Sequence, residues 1–158
     1  MTTKTKAKTK TKTKTISNPV STSGMGIHFE NRVQSSFTVL MLVNGFAPTL
    51  PAWPIVKIKL QGRYAGFETD DLIVYTKDPK TGKEAKLLGQ VKHSVKMTAE
   101  NKIFGEVILA AWTDFNNPKV FTLSTDIIAL ICRPLSATDT VRGQSKCATS
   151  GHFKIGHP

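Results

Sequence analysis

Acidic residues are scarce in this chain: 11 Asp and Glu stand against 22 Lys and Arg, a formal charge of +11 over 158 residues. A strongly basic balance suits a polyanion, since each phosphate contact made by Lys or Arg releases counterions, though charge alone does not separate nucleic acid from an acidic membrane surface. Cysteine is scarcer still. Cys132 and Cys147 are too few for a disulfide framework, and their spacing matches no zinc pattern, so reduced thiols in a cytoplasmic setting are expected. Long apolar runs are missing as well. The longest, around Val107–Trp112 and Ile127–Cys132, fall far short of the about 20 residues that cross a bilayer. No apolar segment follows the N-terminal lysines, so no secretory signal is legible. A soluble cytoplasmic protein with no membrane partner is the expectation. No internal repeat is visible.

The charge is unevenly placed. Residues 1–15 alternate Thr and Lys and hold six lysines, which leaves 16 basic residues against 11 acidic in the rest. A strand over the arm would have one all-ammonium face and bury nothing, so residues 1–23 are expected to be disordered. From residue 25 to 44, Phe29, Val33, Phe37, Leu40 and Met41 recur at helical spacing. Asn44-Gly45 is expected to stop that helix, the glycine taking the left-handed conformation. After Pro48, Pro51 and Pro54, the alternation of Val56, Ile58 and Leu60 with Lys57, Lys59 and Gln61 predicts a half-buried strand. Asp71–Tyr75 and Leu87–Lys92 flank the turn-forming Asp78-Pro-Lys-Thr-Gly82 and predict a hairpin. From about Thr98 to Asp114 the spacing returns to helical, with Phe104, Val107, Ile108, Ala111 and Phe115 as the buried stripe and Asn117-Pro118 as the stop. Trp112 and Phe115 are expected to pack in the core. Asp126–Cys132 reads as a fully buried strand.

The order αβββαβ predicts an α/β fold with a mixed sheet flanked by helices. One domain over 24–135 is expected. Residues 136–158 carry no apolar period and are expected to form an irregular tail, in which Cys147, His152 and His157 have no regular metal-ligand spacing.

One group of residues can carry chemistry. Gln90 and Lys92 lie two apart on a strand and so project from the same face. Asp71 opens the neighbouring strand, about 4.8 Å away in the sheet. Glu30, early in the first helix, can add a second carboxylate. Phosphodiester cleavage loads negative charge onto an anionic group, and a divalent cation offsets it. Asp71 and Glu30 would offer charged oxygens, Gln90 a neutral one, and Lys92 would orient or deprotonate water and meet the developing charge.

Four segments carry a resemblance: Gly26-Ile-His-Phe-Glu30, Thr69-Asp-Asp-Leu-Ile-Val-Tyr75, Gly89-Gln-Val-Lys-His93 and Ala111-Trp-Thr-Asp-Phe-Asn-Asn117. Over roughly residues 24–135 the chain resembles the PD-(D/E)XK nuclease superfamily, in particular Mrr-type restriction enzymes and the nuclease domains of bacterial anti-phage effectors. The resemblance implies a restriction-endonuclease-like core and a DNA endonuclease acting on double strands. It implies Mg²⁺ as cofactor, with Mn²⁺ able to substitute, and catalytic roles for Glu30, Asp71, Gln90 and Lys92. Many members have Glu or Asp where this chain has Gln90; a Gln-x-Lys form recurs in the Mrr-like branch. A longer effector protein, active as a homo-oligomer, is implied too.

Plainer readings stand beside these. Asp70 and Asp71 can cap a loop, and Asp70 is the alternative ligand to Asp71. Glu30 can be a first-turn carboxylate stabilised by the helix dipole. Lys96, Lys102 and His93 are candidates for phosphate contact, or solvated side chains. A catalytically inactive DNA-binding module, a protein-interaction domain and a histone-like protein acting through its lysine arm are the rival functions.

Overall fold

The N-terminal helical stripe folds as its spacing predicts except at Phe29, which lies edge-on to His93 rather than in the core. In the computed structural model, which describes residues 24–133 and the backbone of residues 153–156, helix α1 spans Gly24–Leu42. Val33, Phe37, Leu40 and Met41 face a core that includes Leu72, Val74, Leu87 and Ala129 of the sheet. The expectations placed on residues 1–23, on Cys147, and on the histidines of the tail lie outside the described residues. The helix ends with Gly45 N–H donating to Leu40 O at 2.7 Å and Asn44 N–H to Met41 O at 3.2 Å, the paired bonds of a Schellman cap. The left-handed residue is Asn44, at φ 53°, not the glycine. Gly45 is required because an added Cβ would lie 2.9 Å from the Leu40 carbonyl oxygen.

The strands are β1 (Ile55–Leu60), β2 (Leu72–Lys77), β3 (Glu84–Lys92), β4 (Ile127–Cys132) and β5 (Phe153–Gly156). They form one sheet in the order β1-β2-β3-β4-β5. β1, β2 and β3 pair antiparallel, whereas β4 runs parallel to β3 and β5 parallel to β4. Helix α2 (Lys102–Phe115) makes the crossover between β3 and β4. Side chains alternate across a strand. Leu72, Val74 and Leu87 meet the α1 side, and Ile73, Leu88 and Ile128 meet Ala111 of α2 on the other. The result is an α/β fold with a mixed sheet covered on both faces.

Three expectations are corrected. Val56 and Leu60 are exposed and Ile55 is buried instead, because a register shift between Ile55 and Lys57 changes the phase of this edge strand. On α2, Ile108 is 40% and Trp112 63% exposed, while Asp114 is buried. The inward face runs Phe104, Val107, Ala111, Asp114, a narrower stripe than the hydrophobic residues alone mark, and Trp112 stacks outside on Phe115 at 6.0 Å. Last, part of the region expected to be an irregular tail supplies β5, so the sheet extends beyond residue 135.

Candidate active site

The hairpin turn sets the register that matters. Asp78 accepts hydrogen bonds from Lys80 N–H and the Thr81 hydroxyl, and Gly82 takes φ 73°, which locks β2 to β3 with Leu72 opposite Gly89. One step further along, Asp71 reaches Gln90. The Gln90 amide donates to Asp71 Oδ2 at 2.5 Å, Val91 N–H to the same oxygen at 2.7 Å, and Lys92 Nζ to it at 3.2 Å. Asp71, Gln90 and Lys92 therefore share one point, as the spacing predicts. Gln90 is buried and Lys92 keeps about a third of its side chain open, so the cluster is closed on one side and reachable on the other.

Glu30 joins through an intermediary. Its Oε1 accepts from Gln34 Nε2 at 2.9 Å, and the same nitrogen stands 3.2 Å from the Asp71 carbonyl oxygen. Gln34, one helical turn after Glu30 on the same face, escaped the sequence reading because a lone Gln on a helix carries no signal. Glu30 lies six residues inside α1, beyond the first turn where the helix dipole acts. The first-turn reading of this residue is therefore set aside. Burial, then the charge of Asp71, push the Glu30 carboxyl above its usual range, with Lys92 opposing. The Asp70 carboxyl is also pushed up, by burial and then by Asp71, although Arg63 Nε stands 3.4 Å from Asp70 Oδ2. Three carboxylates thus crowd a site that Lys92 and Arg63 only partly neutralise.

The other candidates spread around this centre. His93 lies edge-on to Phe29 at 5.8 Å, and Arg133 Nη1 comes within 3.2 Å of its Nε2. Arg133 adds an exposed cation that the sequence reading missed, because it directly follows an apolar strand with no pattern around it. Lys96, in the loop after β3, and Lys102, first residue of α2, are exposed, and neither is hydrogen-bonded or ion-paired to the Asp71 cluster among the described residues. Asp114, inside one of the family-like segments, is the further missed residue. Its carboxylate accepts from Glu68 N–H at 2.9 Å and Thr69 N–H at 2.7 Å, just before Asp70 and Asp71.

No group of three His, Cys, Asp or Glu side chains able to hold a metal ion occurs among the described residues. Asp71, Glu30 and the Gln90 amide oxygen offer an all-oxygen set instead, the kind Mg²⁺ takes with one or two carboxylates and several waters. Burial, then the charge of Asp71, raises both Glu30 and Asp70, and a nearby cation would favour their ionised forms. These side chains are of the oxygen-bearing type that a hard divalent ion takes rather than zinc, although in this structure Asp71 Oδ2 is met by three protein donors and Gln90 presents its nitrogen. Among the described residues no helix is long and apolar enough to cross a membrane. Comparison with known protein families, curated proteins and solved structures returns no match.

Proposed function

We propose that this chain is a metal-dependent endodeoxyribonuclease domain of the PD-(D/E)XK type, using Mg²⁺ or Mn²⁺ to hydrolyse phosphodiester bonds in double-stranded DNA. One observation carries the reading: the Gln90 amide, the Val91 N–H and the Lys92 ammonium converge on a single oxygen of Asp71 at the end of an antiparallel hairpin. The neighbouring Glu30 and Asp70, both pushed upward by burial and then by Asp71, supply further carboxyl groups.

Asp71 and Glu30 would hold the cation through carboxylate oxygens and Gln90 through its amide oxygen. When bound, the cation would neutralise charge developing on the phosphate and acidify a water. Gln90 presents its nitrogen to Asp71, so lending its oxygen requires the amide to turn over about its last torsion. Lys92 Nζ, partly open to solvent, would donate to a phosphate oxygen or hold a proton of the attacking water. Exposed Lys96, Lys102 and Arg133, with the partly buried His93, would meet the DNA backbone. One site cuts one strand, so the active form would be a homo-oligomer, within a longer effector of bacterial anti-phage defence.

A second reading draws on the same contacts. Asp71 Oδ2 is fully satisfied by protein donors, which also suits a catalytically inactive DNA-binding or protein-interaction module. Plasmid incubated with the purified chain in Mg²⁺, Mn²⁺ or EDTA separates the two. A nuclease nicks or linearises it only with metal, and Lys92→Ala lowers that rate by about 100-fold or more while DNA affinity holds. Equal DNA binding in EDTA with no cutting in any metal would leave the inactive module.

A further inference from the structure

We propose that Asp114 is a positioning residue, a clamp from α2 that sets where Asp70 and Asp71 stand against Gln90 and Lys92. It is 1% exposed, and no cation pairs with it among the described residues. Its two oxygens are met one each by successive backbone N–H groups: Oδ1 by Glu68 at 2.9 Å and Oδ2 by Thr69 at 2.7 Å. Two consecutive amides aimed at one carboxylate are an anion cradle built from backbone, here filled by the protein's own side chain across 45 residues of sequence.

The local rules argue against an acid at this place. Asp114 occupies the last turn of α2, the end where a negative charge opposes the helix dipole. Burial of a carboxylate adds to the cost. Its role is therefore long-range. Thr69 is itself buried at 1%, and its hydroxyl has no hydrogen-bond partner, so its side chain makes no hydrogen bond that would fix the loop. Two residues on, Asp71 must receive three donors on one oxygen. Only Asp70 separates the two, so a shift at Thr69 bears on Asp71 against the bonds that Gly62 N–H and the Gln34 amide make to the Asp70 and Asp71 carbonyls.

Asp126 provides the control. It too is a buried carboxylate that accepts two backbone amides, Lys86 N–H at 2.9 Å and Thr122 N–H at 2.8 Å, and unlike Asp114 it also pairs with a cation, Lys86 Nζ at 3.0 Å. It sits at the opposite end of β3, remote from Gln90. Asp114→Asn keeps the shape but turns a donor toward one backbone N–H. Asp114→Ser, smaller and still an acceptor, serves if the first variant does not fold.

Two readouts decide. The first is hydrogen exchange at the Val91 amide, whose acceptor is Asp71. In the Asp114 variant its protection falls by about tenfold or more beyond any global change, whereas in Asp126→Asn it follows the global change only. The second rests on the nuclease reading: Mn²⁺ affinity, measured by titration below the melting temperature, falls by about 10- to 100-fold in the Asp114 variant and not in Asp126→Asn. Unchanged Val91 protection in a folded Asp114 variant, or equal loss in both variants, overturns the clamp. Absence of Mn²⁺ binding in the parent protein ends the metal reading alone, and Val91 exchange still decides the clamp.

Discussion

Asp71 and Glu30 are acids of one cluster whose charges are met very differently. Asp71 takes three donors on one oxygen, whereas Glu30 takes a single amide from Gln34. Burial and the neighbouring Asp71 then favour the protonated form of Glu30. A carboxyl raised in the folded state binds its proton at higher pH than in the unfolded chain. Its contribution therefore favours folding below the unfolded value, about 4.3, and is lost as pH rises through the folded value. At neutral pH, ionised Glu30 works against the fold. Glu30→Gln keeps the shape and the contact with Gln34 while removing the charge. Its Tm should exceed the parent's by a few degrees near neutral pH, with the gap closing as pH is brought below about 4. Added Mg²⁺ should raise the parent's Tm and the variant's less, because the cation acts on the charge the variant lacks. Thermal melts at two pH values, with and without Mg²⁺, check both effects; a lower Tm for Glu30→Gln near neutral pH contradicts the account.

At the scale of elements, ends and turns govern what the apolar pattern leaves open. Asn44 holds φ 53° at the end of α1, a conformation that costs most L-residues about 1–2 kcal/mol and that Asn tolerates. Asn44→Ala should therefore destabilise the protein by about 1 kcal/mol, while Asn44→Gly should leave it within a few tenths; urea denaturation distinguishes them, and equal midpoints would rule the strain out. The stop at Asn44-Gly45 was legible, but which residue turned left-handed was not, since that depends on how closely Gly45 approaches Leu40. The stripe of α1 and the β2–β3 hairpin were legible for the same reason: each meets one core face with a regular period. The pattern misplaced residues where a non-local partner chose the face. Asp114 is inward on α2 because two backbone amides wait there; Ile108 and Trp112 are displaced outward in consequence. On β1 a register shift moved the buried position to Ile55.

The whole molecule shows the limit of local reading most clearly in its sheet. Asp71, Gln90 and Lys92 could be brought together on paper because a tight turn joins their strands. Gln34, Arg133 and Asp114 could not, since each is tied to the site by contacts that cross the fold. β5 is the extreme case: four residues, Phe153–Gly156, too short for any period, aligned in parallel with Ile128–Ile131. That pairing does more than widen the sheet. β4 reads Ile-Ile-Ala-Leu-Ile-Cys, without a charge, proline or glycine, and as an edge it would present unpaired backbone to any other strand. β5 covers that edge, and as the new border it is short and carries Lys154 and Gly156 in sequence, features that blunt edge-to-edge pairing. A chain ending at residue 152 should therefore keep the buried contacts between α1, α2 and the first four strands, yet self-associate. Size-exclusion chromatography with light scattering should show concentration-dependent oligomers absent from the full chain, and its urea midpoint should fall. Placing a charge within the bared strand, as Ile131→Lys at a partly buried position packed against the core, should suppress the association while lowering the midpoint further, because a charge blocks edge pairing but replaces no backbone hydrogen bond. A truncated chain that stays monomeric at the same concentrations would show that β5 is dispensable as an edge cover.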